Sequence, residues 1–130
     1  MSDQANVELV NAWFAALGSG DTHAAVNLMS DDVVWHTGGR GRFAGDVEGK
    51  EAIVDSLDRF GAAIDSITDE LHAVLADEEH AVALNNSTVT RGDETLNQSN
   101  IFVFHIADGR ITEVWLSFRY PYENDEFFPA

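Results

Sequence analysis

The feature that most constrains the fold is a change of hydrophobic periodicity near Ser66. Before this residue, apolar side chains recur at helical spacing; after it, they follow the shorter period of β-strands. The predicted strands are Leu71–Leu75, Ala81–Val89, Thr95–Ile106 and Ile111–Phe118. Short turns rich in Asp, Glu and Gly separate them. Because so few residues join one strand to the next, we expect antiparallel hairpins.

The first half of the chain predicts three helices, one strand and a glycine-rich loop. Helical spacing covers residues 7–17, a shorter helix follows an Asp cap over residues 21–29, and a third helix covers residues 51–64. The run Val33–Thr37 is rich in β-branched and aromatic residues, which is typical of a strand. Residues 38–49 hold five glycines and predict a loop. Helices followed by a strand meander indicate an α+β domain.

The chain is strongly acidic, with 23 acidic residues against seven basic ones and a net charge of −16. Such a chain repels phosphate backbones and anionic lipid, which argues against nucleic-acid and membrane partners. Lys50 is its single lysine. An acid excess with so little lysine suits a salt-rich cytoplasm, where the charges are screened, as in a halophile. An ordinary acidic protein is the alternative, and both interpretations stay open.

Cysteine and targeting signals are missing from the sequence. Without cysteine, disulfides, thiolate metal sites and cysteine nucleophiles are excluded. Residues 1–4 lack the basic segment and apolar run that begin a signal peptide. No stretch approaches the roughly 18 apolar residues that a membrane span needs. We therefore expect a cytoplasmic protein with a single domain over residues 1–130.

Five short segments carry a resemblance to a known superfamily. They are Ala16-Leu17 with Gly20-Asp21, Asp31 to His36, Ala44-Gly45 with Gly49, Asp108 to Trp115, and Asp125 to Phe127. In this order and spacing they resemble the nuclear transport factor 2-like superfamily, which includes ketosteroid isomerases and SnoaL-like polyketide cyclases. The resemblance implies an α+β cone, in which three N-terminal helices close a strongly curved antiparallel sheet over a central pocket. It also implies a homodimer through the outer face of the sheet.

The sequence departs from these enzymes where their catalytic groups would stand. Where ketosteroid isomerases carry an aspartate base, this chain has Thr37, and where their first helix carries a tyrosine that donates to the oxyanion, it has Trp13. The buried acid that these isomerases carry on a later strand corresponds to Asn100 or Ile101. Tyr120-Pro121 replaces the Asp-Gln pair of SnoaL-like relatives. The Trp13 indole could donate to a ligand oxygen, or the ring could simply pack in the core. Steroid isomerase chemistry is therefore not predicted.

His36 is the predicted acid/base. It closes a strand beside the glycine-rich loop, where the resemblance places the mouth of the pocket, and imidazole exchanges protons near neutral pH. The alternative is a histidine that bonds a loop carbonyl and only shapes the site. The other residues expected to line the pocket are Trp13, Trp35, Thr37, Phe60, Asn85, Asn100, Phe102, Glu113, Trp115 and Tyr120.

The polar members of this set have alternative interpretations. Because side chains alternate along a strand, Asn85 and Asn100 face either a wet pocket or a solvated outer surface. Glu113 is either a buried acid/base on the pocket face or a structural partner of Arg110 or Arg119. The choice depends on the phase of the alternation, that is, on which alternate residues of each strand face the pocket. The sequence leaves that phase open.

Two classes of function follow from these residues. The first is a small enzyme, such as an isomerase, cyclase or dehydratase, that acts by proton transfer on a small apolar organic ligand without a cofactor. The second is a non-catalytic module for ligand binding or dimerisation. His72, His80 and His105 lack the His-x-x-x-His spacing of a helical metal site, so spacing predicts no metal, although the fold could still assemble such a site.

Overall fold

The computed structural model describes residues 3–130; residues 1 and 2, the start of the segment without signal-peptide features, lie outside the described residues. The helices are α1 (Asp3–Gly18), α2 (Thr22–Asn27), α3 (Lys50–Ala62) and α4 (Pro121–Phe127). The strands are β1 (Met29–Thr37), β2 (Gly45–Glu48), β3 (Ser66–Ala76), β4 (His80–Arg91), β5 (Glu94–Ala107) and β6 (Arg110–Phe118). Among residues 3–130, no helix is both long and apolar enough to cross a membrane.

One six-stranded sheet, in the order β2-β1-β6-β5-β4-β3, carries the predicted meander. The α+β cone is confirmed, with α1, α2 and α3 as its three N-terminal helices, and the sheet is not closed. One pairing corrects the expected antiparallel sheet, because β1 and β6 run parallel. These two strands can run parallel because a long stretch of chain separates them. After β1 and β2, helix α3 leads the chain from the β2 edge of the sheet to the β3 edge. Register shifts near His105 and Leu71 allow strands to bend.

Two elements were not predicted from the sequence. Strand β2 forms within the glycine-rich loop, where Gly45 and Gly49 adopt positive φ angles of 107° and 87°. Helix α4 forms in the acidic tail and docks on the same loop, because Asp125 Oδ1 accepts hydrogen bonds from the backbone N–H groups of Arg40 and Gly41 at 2.9 and 3.0 Å. Both elements are too short for a periodic signal, and tertiary contacts hold them in place.

The two faces of the sheet differ in what they meet. On β4 the odd-numbered residues 81–89 are buried, and on β5 the even-numbered residues 96–106 are buried. We call this side, which packs against the helices, the inner face, and the opposite side the outer face. The inner face contains an aromatic core of Trp13, Phe14, Trp35, Phe102 and Phe104. It also contains a C-terminal cluster of Val89, Leu96, Phe127 and Phe128, with Phe43, Phe60 and Ile64.

Candidate functional site

A belt of polar side chains crosses the inner face between the aromatic core and the C-terminal cluster. Along β4, Asn85 and Ser87 lie between apolar Ala83 and Val89, and β5 places Asn100 and Gln98 opposite them. Strand β3 adds Asp69, the register partner of Ser87. We call Asp69, Asn85, Ser87, Gln98 and Asn100 the inner belt. Because buried polar groups are costly unless they bond, such a belt indicates a site rather than a core layer.

The amides of the inner belt form a connected hydrogen-bond network. Asn100 Nδ2 donates to Asn85 Oδ1 at 2.9 Å and to Ser87 Oγ at 3.0 Å. The bond to Asn85 Oδ1 fixes the orientation of the Asn85 amide, because its oxygen accepts from Asn100. Its Nδ2 has no hydrogen-bond partner within residues 3–130, and Asn85 is only 2% exposed. This buried donor therefore has no acceptor within hydrogen-bond distance in that range, although the Asp69 carboxyl lies near enough for the amide to affect its pKa.

Gln98 ties the inner belt to the start of α4. Its Nε2 donates to the Tyr120 carbonyl at 3.0 Å, and its Oε1 accepts from the Tyr120 N–H at 2.9 Å. The Tyr120 side chain itself is 40% exposed, and the Arg119 guanidinium lies 5.1 Å from its ring centre. Tyr120 therefore supports the belt through its backbone.

Asp69 is the one acid of the inner belt. It lies on edge strand β3 and is exposed as a whole residue, although its neighbours partly desolvate the carboxyl. This desolvation raises the pKa of Asp69, and the nearby Asn85 amide offsets the rise only in part. A carboxyl with a raised pKa is suited to take up and release a proton. The sequence interpretation missed Asp69 because the predicted strand began at Leu71. Starting that strand two residues earlier would have placed Asp69 on the same face as Leu71.

Trp13 anchors the aromatic core beside the belt. Its ring centre lies 5.5 Å from Trp35, 5.9 Å from Phe102 and 5.2 Å from Phe104. Trp13 is fully buried, and its indole Nε1 finds no hydrogen-bond partner in the described part of the chain. Indole is only a donor, so the group that would satisfy it is an acceptor such as a ligand oxygen.

His36 lies on the outer face, which corrects the expectation that it shares a pocket with Trp13 and Phe102. Its Nδ1 is 2.7 Å from Asp46 Oδ1, and its Nε2 is 2.5 Å from Glu113 Oε2. The imidazole stacks on Trp115 at 5.5 Å between ring centres. Glu113 and Trp115 are therefore outer-face residues, because the buried residue between them, Val114, takes the inner face.

The contacts of His36 favour a cationic structural role. The hydrogen bond to Glu113 and then the one to Asp46 raise the pKa of His36, because two carboxylates stabilise the protonated ring. Both ring nitrogens are occupied, which leaves neither free for a substrate in this arrangement. Glu113 pairs with His36 rather than with an arginine; Arg110 instead donates to the Asn27 carbonyl at 2.8 Å. The acid/base role of His36 stays a prediction.

This ion pair predicts a pH-dependent stability. Since the folded pKa of His36 is raised above 6.5, its contribution is complete below that pH and is lost as pH rises through the folded pKa. We expect His36→Gln to lower the free energy of unfolding at about pH 6 and to have a smaller effect at about pH 9. Urea denaturation of both proteins across this range measures the difference. A difference independent of pH would contradict the ion pair.

The remaining expected pocket residues divide between several surroundings. Trp35 and Phe102 belong to the aromatic core, and Asn85 and Asn100 to the inner belt. Thr37 follows Trp35 by two residues and so shares its face of β1. Phe60, on α3, packs in the C-terminal cluster against Phe43 and Phe128, with ring centres 5.5 and 5.4 Å away. The inner face therefore unites the aromatic and amide residues.

Within residues 3–130, the outer face exposes three large apolar side chains: Leu75 on β3, Ile101 on β5 and Trp115 on β6. Ile101 is 43% exposed and Trp115 is 37% exposed, and they lie on the adjacent strands β5 and β6. This is the face through which the resemblance implies a homodimer, and that contact stays a prediction.

A cone-shaped sheet, three helices on its inner face and a polar belt between apolar clusters define a protein of the nuclear transport factor 2-like class. The sequence profile of the SnoaL-like domain matches residues 10–114, and the chain belongs to this family. The resemblance predicted from the sequence is thereby confirmed.

Relatives extend over almost the whole chain. Bal32a, from a soil-derived mobile gene cassette, is 31% identical with a TM-score of 0.91, over 97% of this chain and 98% of its own. An uncharacterized protein of Mycobacterium tuberculosis is 28% identical over 130 residues, 98% of this chain and 99% of its own. An epoxide hydrolase of M. tuberculosis shares the fold at 20% identity, with a TM-score of 0.78 over 97% and 90% of the two chains.

Proposed function

We propose that this protein is an enzyme that binds a small, largely apolar organic molecule at the inner belt and transfers a proton on it. The observation that carries the proposal is a pair of buried donors on the inner side, Asn85 Nδ2 and Trp13 Nε1, neither of which has an acceptor within hydrogen-bond distance in residues 3–130. Both are N–H groups, so the ligand that satisfies them brings an acceptor oxygen, such as a ketone or lactone carbonyl. The surrounding rings suit the apolar remainder of such a molecule.

The chemistry proposed for Asp69 follows from its surroundings. Its carboxylate would remove a proton from the carbon beside the carbonyl, and the negative charge would develop on the carbonyl oxygen. A buried N–H donor stabilises that charge most where water is excluded. The protonated Asp69 would then return the proton to the same or a neighbouring carbon. Such a transfer needs no cofactor, and an isomerase, cyclase or lyase contains this step.

The tight aromatic packing favours a second candidate function, a non-catalytic binding module. Phe14 and Phe102 pack edge to face at 5.1 Å, and both contact the fully buried Trp13. A core this well filled supports a stable scaffold without any ligand. The family relationship is compatible with either function, because one fold hosts many activities.

The indole N–H signals of the three tryptophans provide the test. We would label the protein with ¹⁵N, assign each indole by Trp→Phe substitution, and titrate 2-cyclohexenone, δ-valerolactone and progesterone separately. The proposal predicts a saturable shift of the Trp13 indole and of the Asn85 side-chain amide for at least one probe. Trp115, on the outer face, is the internal control and should not move.

The outcomes separate the candidates. A shift of Trp13 and Asn85 that Asn85→Leu abolishes supports binding at the inner belt. Binding with no proton exchange on the probe supports the non-catalytic module. If no probe moves Trp13, or if only Trp115 responds, the proposed ligand class is wrong.

A further inference from the structure

Two histidines and a glutamate meet at one end of the sheet, away from the inner belt. Glu79 lies in the turn between β3 and β4, His80 begins β4, and His105 is its register partner on β5. One potential ligand atom from each of the three lies within 4.8 Å of those from the others. The imidazole ring centres are 5.3 Å apart. His105 is flanked by the buried Phe104 and Ile106, so it points to the outer face.

The hydrogen bonds of His105 determine which of its nitrogens is free. Thr112 Oγ1 donates its single proton to the His105 carbonyl at 3.2 Å. The same oxygen lies 2.8 Å from His105 Nδ1, and both hydrogen bonds form together only when Nδ1 carries the proton and Oγ1 accepts it. The lone pair of His105 is therefore on Nε2. A histidine that donates through one nitrogen and binds through the other is typical of metal sites.

His80 is oriented in the same way. Its Nδ1 lies 3.3 Å from Asp77 Oδ1, and a carboxylate can only accept, so the lone pair of His80 is also on Nε2. Asp77 Oδ1 further accepts from the backbone N–H groups of Glu79 and His80 at 2.8 and 2.7 Å. One carboxylate thus holds the backbone of two members of the cluster and the ring of one.

Helix α1 holds the turn from the other side. The fully buried Asn6 donates through Nδ2 to the carbonyls of Asp77 and Glu78 at 2.9 and 3.1 Å. The Ile106 N–H donates to the Glu79 carbonyl at 2.8 Å, which joins the turn to β5. The backbone that carries the three side chains is therefore organised before any ligand binds, and this lowers the entropic cost of binding.

We propose that Glu79, His80 and His105 form a binding site for a divalent transition-metal ion, with Zn²⁺ the best match. Two imidazole nitrogens and one carboxylate oxygen are a common zinc donor set that leaves a fourth position for water. Tetrahedral bonds of about 2 Å require ligand atoms roughly 3.3 Å apart, so small side-chain rotations would close the site. Glu79 and His80 are exposed, so their side chains have room for these small rotations. Mg²⁺ and Ca²⁺ prefer all-oxygen sites and fit poorly.

Isothermal titration of the full chain with ZnCl₂, in excess MgCl₂ to occupy surface carboxylates, tests this site. We expect one saturable Zn²⁺ per chain, lost in His80→Ala and in His105→Ala. His72→Ala is the matched control, because His72 is an exposed histidine on β3 outside the cluster. Far-UV circular dichroism without metal verifies that each variant folds, and His105→Asn replaces His105→Ala if the latter does not.

Thr112 variants provide a more specific test of the site, because Thr112 acts through His105 as a positioning residue. Thr112→Val should weaken Zn²⁺ binding by about 10- to 100-fold, the usual cost of losing such a partner. Thr112→Ser, which keeps the hydroxyl, should restore most of the affinity. The site is overturned if wild-type protein shows no saturable Zn²⁺ binding in MgCl₂. It is also overturned if the His80 and His105 variants bind Zn²⁺ as the wild type does.

Discussion

Asp69→Asn is expected to slow proton exchange on a bound carbonyl compound by about 10²- to 10⁴-fold, the usual contribution of a positioned acid–base group. Asp69 is the only ionisable member of the inner belt, and burial raises its pKa. The amide of asparagine keeps the shape of the side chain but cannot accept the proton. The measurement is deuterium loss, followed by NMR, from the α-deuterated form of whichever probe shifts the Trp13 indole.

The control for Asp69→Asn is Glu70→Gln. Glu70 is the next residue on β3, and strand alternation places it on the opposite, outer face. Because the raised pKa means that ionised Asp69 opposes folding at neutral pH, the Asn variant should retain its free energy of unfolding. Equal exchange in wild type and Asp69→Asn would contradict the role of Asp69. If His36→Gln alone abolished exchange, the acid/base predicted from the sequence would be the correct one.

Phe104→Ala should lower the free energy of unfolding by about 3–5 kcal/mol, the range for a large buried aromatic side chain. Phe104 is fully buried on the inner face of β5. Its ring centre lies 5.2 Å from Trp13, 6.2 Å from Phe14 and 6.0 Å from Phe102. Truncation removes apolar burial and three ring contacts and leaves a cavity between a helix and the sheet. Urea denaturation monitored by circular dichroism measures the loss.

The matched control for Phe104→Ala is Leu75→Ala. Leu75 is a large apolar residue on β3 that is 59% exposed, so its truncation should change the free energy of unfolding by less than about 0.5 kcal/mol. If Phe104→Ala does not fold, Phe104→Leu keeps most of the volume and should cost less than about 1.5 kcal/mol. A loss below about 1 kcal/mol for Phe104→Ala would contradict a tightly packed aromatic core.

The predicted elements that proved correct have strong local signals. Strands β4, β5 and β6 contain long alternating runs between clear turns, and the structure extends them by only one or two residues at their ends. Asp21 caps α2 as its chemistry suggests, accepting from the Ala24 N–H at 3.0 Å. Strand β2 and helix α4 lack such signals. Strand β2 instead depends on pairing with β1, and helix α4 on a partner distant in sequence, since Asp125 bonds Arg40 and Gly41.

The residues of the candidate site were likewise predicted only in part. The sequence identified Asn85 and Asn100 as unusual within apolar strands, and the inner belt contains both. It also grouped His36, Glu113 and Trp115 with them, whereas the structure places these three on the outer face. The interpretation placed these three residues in the correct strands, but it expected them in one pocket with Asn85 and Asn100.

The sequence by itself determined the class of fold, the order of the longer elements and the alternation within the strands it identified, because these depend on residues close together in the chain. Only the tertiary structure decided whether the odd-numbered or the even-numbered side chains of each strand face the helices. That phase depends on register between strands and on helix packing, which involve residues far apart, such as His36 and Glu113. The same reason explains why spacing in the sequence did not reveal the proposed metal site: Glu79 and His80 meet His105 only once β4 and β5 pair.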